Sequence, residues 1–276
     1  MRSINNSYSG MSSIKVKQLF TYPIKGLTPH KSDRLSLSKG HGIKGDRAFA
    51  LMFQDDSNSP SPDIVPWMAK KHFAVQNDWS GLAALDCNYD SQSRILTACH
   101  QGVELLRADT DSEMGRDRIS AFFTGYLANL KPTEGARHPQ KAPLRLVGDS
   151  SGETRYPDRQ PVHISLLSQD TLDELSEVAG KIVDVRRFRP NIVLEGMAAW
   201  EEFKLVGKEF KLGTAKIDIS ARIGRCLNIE VNPETGDRDL PLFSILREKF
   251  GHAQTGVLAT VDTDGVVAVG DRMEVI

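Results

Sequence analysis

The sequence predicts a β-rich α+β protein built in two parts. Three observations carry that prediction. Short runs of β-branched and aromatic residues, bounded by Gly, Pro, Asn, Asp and Ser, recur along the whole chain. Only three stretches place apolar residues at helical spacing. A break with prolines and a glycine at 131–142 separates a strand-dominated first half from a mixed second half, which puts a domain boundary in that neighbourhood.

Taken in order, residues 1–13 are polar and rich in Ser, Asn and Gly, and form an expected disordered lead-in. Strands are expected at 14–20, 34–38, 47–53, 81–87, 94–98 and 103–107. The loop 54–66 carries Asp, Ser, Asn and Pro in place of any period, and is expected to be exposed, mobile and close to a site. A helix over 113–129 follows from Met114, Ile119, Phe122, Phe123, Tyr126 and Leu127, whose aromatics read as core. Strands at 143–147 and 162–167 precede a helix over 168–179, with Ser168 as N-cap and Leu172, Leu175 and Val178 on its buried face. Further strands are expected at 191–195, 216–221, 227–231, 257–261, 266–269 and 272–275. A helix is expected over 240–250, with Gly251 just past its end.

Composition removes several classes of function. A net charge of -1 argues against a general nucleic-acid surface. No apolar run approaches the roughly 20 residues that span a bilayer, and the N-terminus lacks the apolar region of a secretory signal. A soluble, cytoplasmic protein is expected, with no nucleic-acid or membrane partner. Three widely spaced cysteines make no disulfide framework, and seven histidines without ligand spacing argue against zinc. Cys87 and Cys99 lie in strands without cationic neighbours and read as structural.

Cys226 is different. Arg222 and Arg225 stand beside it, and basic neighbours favour the reactive form of a thiol. Such a group serves as a nucleophile, a persulfide carrier or a soft-metal ligand, against the alternative of a small buried hydrophobe. The expected strand 227–231 would hold it in place. Four other segments offer cations or donors to an anion: Lys25 after the Tyr22-Pro23 turn; Arg47 in Gly45-Asp46-Arg47; Ser168 at a helix start; and Arg187-Phe188-Arg189-Pro190-Asn191. Asp170 in the first turn of that helix competes with an anion there. Gly40-His41-Gly42-Ile43-Lys44-Gly45 matches a dinucleotide fingerprint by letter, but no crossover helix fits behind it, so its glycines read as turn formers.

In this order the segments resemble a known family. Tyr22-Pro23-Ile24-Lys25, Gly42-Ile43-Lys44-Gly45-Asp46-Arg47, Tyr156-Pro157-Asp158, Leu167-Ser168, Phe188-Arg189-Pro190-Asn191-Ile192-Val193, Arg225-Cys226, Asn232-Pro233-Glu234-Thr235-Gly236, Phe250-Gly251 and Val269-Gly270-Asp271 look like those of two-part MOSC-domain proteins. Relatives are the C-terminal domain of molybdenum cofactor sulfurases and the mitochondrial amidoxime-reducing components. The resemblance implies an N-terminal β-barrel-like domain (14–112) packed on a MOSC β-barrel (113–276) with a few peripheral helices. It implies a pyranopterin molybdenum cofactor between them, with Cys226 as metal ligand and catalytic residue. Lys25, Arg47, Ser168, Arg189, Asn191 and Arg225 would hold its phosphate and pterin. The activity implied is reduction of small N-hydroxylated compounds. No clustered-cysteine ferredoxin region precedes Ile276, so electrons are expected from a separate ferredoxin-, flavin- or cytochrome-type protein. Sulfur transfer through a Cys226 persulfide, or simple carriage of the cofactor, are the alternatives. Two departures stand out. Gly26 and Gly224 replace the small hydroxyl residues common in relatives, and Trp200-Glu201-Glu202 matches the family's acidic tryptophan segment only loosely, so no proton donor is assigned.

Overall fold

A computed structural model describes residues 14–54, 62–138 and 143–276. The lead-in, residues 55–61 of the expected loop and residues 139–142 of the expected break lie outside the described residues. In chain order the elements are β1 (Lys15–Thr21), β2 (His30–Ser32), β3 (Arg34–Ser38), β4 (Gly42–Ile43), β5 (Phe49–Phe53), β6 (Asp86–Asp90), β7 (Ile95–His100), β8 (Val103–Asp109), α1 (Glu113–Asn129), β9 (Leu144–Gly148) and β10 (Ile164–Ser168). Then come α2 (Gln169–Ala179), β11 (Ile192–Glu195), β12 (Glu209–Leu212), β13 (Ala215–Gly224), α3 (Leu242–Lys249), β14 (Gln254–Thr263), β15 (Gly265–Ala268) and β16 (Met273–Val275). The β-rich α+β class holds.

The principal sheet has eight strands in the order β16-β12-β13-β14-β10-β11-β1-β2. Only β10 and β11 run parallel. The sheet curls until β1 meets the segment entering β16: Val16 N–H donates to Asp271 O (2.9 Å) and Met273 N–H to Ile14 O (3.0 Å). Inside lie Val16, Leu19, Ile164, Leu166, Ile192, Leu194, Ile217, Ile219, Val257 and Ala259, all nearly water-free. Removing that much apolar surface from water is the main stabilising term at about 25 cal/mol per Å². A second core gathers Ile24, Phe49, Leu51, Trp79, Leu82, Leu96, Phe123 and Leu146 beneath α1 and the β6-β7-β8 sheet. The two cores do not share the chain out at one point. β1 joins the curled sheet and β3, paired with β15, packs Leu35 and Leu37 into its core, while α1 and β9 pack into the core begun by Ile24.

Several expectations change. Leu227–Glu230 is a 3-10 turn, not a strand. Ile229 is buried in the helical core while Leu227 is exposed, and Arg187 Nη1 binds Glu230 O, so tertiary contacts override the alternating pattern. The run 81–87 divides into a 3-10 turn, Ser80–Ala84, and the start of β6, because Leu82 and Ala83 both point inward. Met114 on α1 is 82% exposed and Val178 on α2 is 41% exposed, so neither joins its helix's buried face. Three short strands, β2, β4 and β12, were not foreseen.

Candidate functional site

A cavity of about 380 Å³ is lined by residues from both halves of the chain, from Lys25 to Leu258. Six of the seven predicted site residues line it: Lys25, Arg47, Arg189, Asn191, Arg225 and Cys226. Local backbone explains the convergence. Lys25 follows β1 through the Tyr22-Pro23 turn, its N–H donating to Phe49 O (2.8 Å). Asn191 enters β11 beside the parallel neighbour β10, where Ser165 N–H donates to its Oδ1 (3.2 Å). Arg225 leaves the end of β13, and its N–H donates to Ala253 O (2.8 Å), which sets Cys226 at the cavity wall.

Two of the arginines sit in the left-handed backbone region, Arg47 at φ 54° and Arg189 at φ 53°. A non-glycine residue is uncommon there and survives only where its surroundings over-determine it. Both guanidinium groups lie over the Tyr22 ring, 4.4 Å and 4.2 Å from its centroid. Arg189 Nη1 donates to Leu27 O (2.7 Å), and the Tyr22 hydroxyl to Pro190 O (3.0 Å). Arg225 donates to Phe188 O and Thr255 O. Burial lowers the Arg189 and Arg225 guanidinium groups to about 10, although nearby anionic groups oppose the shift.

Lys25 is buried, its ammonium bound to Tyr156 O and the Asp158 carboxylate. Burial lowers it to about 8, although Asp158 favours its charged form. Burial would raise the Asp158 carboxyl, but Lys70 and Lys25 hold it well below the usual carboxylate range. The lining residues include eight cations (Lys25, Arg47, Lys70, Arg155, Arg159, Arg187, Arg189, Arg225) and one carboxylate, Asp158. Arg187 adds a buried Nε–H with no acceptor. The arrangement is an anion receptor with a thiol in its wall.

Ser168 stands apart. It caps α2 without a side-chain bond, does not line the cavity, and its buried hydroxyl has no partner. The start of α2 is occupied from within: buried Glu202 accepts from the Thr171 hydroxyl (2.9 Å), and burial raises its carboxyl above the usual range although that bond opposes the shift. The acid that faces this helix start therefore belongs to the chain itself.

Sequence reasoning passed over Tyr22, Asp46, Lys70, Arg155 and Asp158 as site residues. Tyr22, Asp46 and Asp158 lie inside segments already singled out, so their proximity to Lys25, Arg47 and Pro157 was the available signal. Lys70 lies in an aperiodic stretch that gave none. Among the described residues no group of three or more His, Cys, Asp or Glu is placed to hold a metal ion, and no helix is long and apolar enough to cross a membrane. Cys226 is exposed, Cys99 half-buried and Cys87 buried.

Residues 152–274 match the MOSC domain family. The chain is 36% identical to mitochondrial amidoxime reducing component 2 of Bos taurus, over 93% of this chain and 81% of that protein. It is 25% identical to mitochondrial amidoxime-reducing component 1 of Mus musculus, over 82% of this chain and 69% of that protein. Among solved structures, the YuaD protein of Bacillus subtilis aligns over 95% of this chain and 94% of its own, at 15% identity and a TM-score of 0.44. The fold rests on the strand order above rather than on that likeness.

Proposed function

The chain belongs to the MOSC-domain family, alongside the mitochondrial amidoxime-reducing components, and from that premise we propose that it is a molybdenum-cofactor-dependent reductase of N-hydroxylated compounds. The observation that carries the reading is the cavity with eight cations, one carboxylate and Cys226 in its wall. These residues fit the group. A pyranopterin cofactor ends in a phosphate, which arginine forks and a buried ammonium suit. Its metal arrives already bound by dithiolene sulfur, so one protein thiolate suffices where the described residues supply no ligand cluster.

Cys226 would be the metal ligand. Lys25, Arg47, Arg189, Asn191 and Arg225 would hold the phosphate and pterin, and Ser168 would act at one remove through α2. The bound cofactor supplies two-electron redox chemistry at molybdenum. The chain's residues orient it, neutralise its charge and leave a mouth for a small substrate. Cleaving the N–O bond of R–NHOH takes two electrons and two protons and gives R–NH₂ and water. The electrons would come from a separate donor protein.

The protein purified from a host that makes the cofactor should carry molybdenum and reduce benzamidoxime with a chemical donor. Cys226→Ser should stay folded, because Cys226 is exposed, and lose metal retention and turnover because serine is a harder ligand. A well-folded wild-type protein without molybdenum would sink the proposal. The exposure of Cys226 also favours a second reading, sulfur transfer to another protein. Mass spectrometry after incubation with a cysteine desulfurase and cysteine tests it; no added sulfur on Cys226 rejects it.

A further inference from the structure

We infer that Asp46, which does not line the cavity, is the positioning residue of the site: one buried carboxylate fixes Arg47 and Asn191 directly and Arg189 through Tyr22. This rests on the cavity being the anion site proposed above.

Asp46 is fully buried. Its Oδ1 accepts from the Tyr22 backbone N–H (2.9 Å) and from Asn191 Nδ2 (3.3 Å). Its Oδ2 pairs with Arg47 Nη1 (2.5 Å) and Arg155 Nη2 (2.7 Å). Each oxygen therefore meets two donors, and three of the four, from Asn191, Arg47 and Arg155, belong to cavity residues. The Arg47 N–H donates to Tyr22 O (2.7 Å), so Tyr22 and the 46–47 turn are bonded in both directions across the left-handed residue. Tyr22 then carries both guanidinium groups on its ring and binds Pro190 O, between Arg189 and Asn191. Removing the carboxylate would release one end of each of these contacts. Arg155 reaches the same carboxylate over Gly42, where a Cβ would lie 2.0 Å from Arg155 Nη1, so that glycine is the opening through which the second cation enters.

The sign of the effect separates positioning from charge. Asp46→Asn deletes a negative charge beside an anion receptor. If charge alone mattered, anions would bind more tightly. If Asp46 orients Arg47 and Asn191, they bind more weakly, by about 10- to 100-fold, the usual effect of an outer partner that holds a ligand-binding side chain.

The experiment measures inorganic phosphate binding to cofactor-free protein by calorimetry, and molybdenum per chain in protein from a cofactor-making host. Wild type, Asp46→Asn and Arg116→Met are compared. Arg116 is a buried arginine bound to Thr110 O, Gly148 O and Leu146 O, away from the cavity, and controls for lost stability. Expected are weaker phosphate binding and reduced molybdenum in Asp46→Asn, with neither change in Arg116→Met. If Asp46→Asn does not fold, Asp46→Glu, which keeps the charge and displaces the carboxylate by one methylene, carries the same expectation of weaker phosphate binding. Phosphate binding that is unchanged or tighter overturns the inference, as does a wild type that binds no phosphate, or a loss in Arg116→Met as large as in Asp46→Asn. Wild-type protein without molybdenum, but with the phosphate pattern intact, leaves the inference standing and removes the functional proposal.

Discussion

Two glycines line the same cavity and should respond oppositely to one added methyl group. Gly26 has φ +83°, and a Cβ there would lie 2.9 Å from Ala74 O and 3.1 Å from the Val75 Cα. The obstacles are backbone atoms that no rotamer change can move. Gly26→Ala should cost about 1–2 kcal/mol for the left-handed conformation and about 1–3 kcal/mol for the forced contact, together about 2–5 kcal/mol. Gly224 ends β13 without a left-handed φ, and a Cβ there meets nothing within 4 Å. Gly224→Ala should therefore be neutral or gain about 0.4–1 kcal/mol by restricting the unfolded chain. Urea unfolding of the two variants and wild type, followed by circular dichroism and compared at equal slope, reads the difference. A Gly26→Ala variant as stable as wild type, or a Gly224→Ala variant that loses more than about 1 kcal/mol, would refute the reasoning. The same geometry says at which of the two positions glycine is imposed. Glycine is required at 26 by its close neighbours, while at 224 a serine would fit.

Burial lowers Lys25 from 10.5 to about 8. The folded chain then sheds that proton before the unfolded chain does, so this group's contribution to unfolding free energy is flat below about pH 8 and rises between about 8 and 10.5, by on the order of 3 kcal/mol. Urea melts of cofactor-free protein from about pH 7 to 10 should show a rise that Lys25→Met abolishes; equal pH slopes in both proteins would contradict it. Burial pushes the Cys87 thiol up to about 12, whereas Cys226 is exposed. Iodoacetamide at about pH 8 should label Cys226 in the native protein and spare Cys87, because the thiolate is the reactive form. Comparable labelling of both by peptide mapping would contradict this burial pattern.

How far the sequence could be read depends on the range of the forces involved. The helix at 113–129 was legible because Ile119, Phe123 and Leu127 recur on one face, within local reach, and the structure adds a Ser112 cap that accepts from Gly115 N–H. The 3-10 turn after Cys226 was not, because Ile229 answers to a core formed with Leu240 and Leu246, and Glu230 to Arg187. Strand β4 is two residues long, too short for any period. The site divides along the same line. Arginine and lysine could be named as anion-binding by chemistry alone. Their meeting required β10 and β11 to pair in parallel, β1 to pair with β11, and β13 to end beside residue 253. Ser168 marks where local reading stops: the cap was correctly seen, but the acid at that helix start is Glu202, 34 positions later.

Net charge hides the same fact at the scale of the whole chain. Lys and Arg number 35 and Asp and Glu 36, a balance of -1. The cavity lining holds eight of those cations and one of those acids, so the rest carries 27 cations against 35 acids, a balance of -8 facing a lining of +7. Folding has therefore gathered cations against their mutual repulsion and against dehydration, which is why burial depresses Lys25, Arg189 and Arg225 together. Asp46 and Asp158 offset part of that cost. Arg189 and Arg225 instead rest on backbone carbonyls, which satisfy hydrogen bonds without cancelling charge. A chain that needed only stability would pair these cations or replace them. Leaving them for an outside anion makes ligand binding part of the stability of the fold. Of the two arginines near Cys226 in sequence, Arg222 is exposed and lies over the Phe203 ring and Arg225 lines the cavity, where Arg189, far away in the chain, joins it.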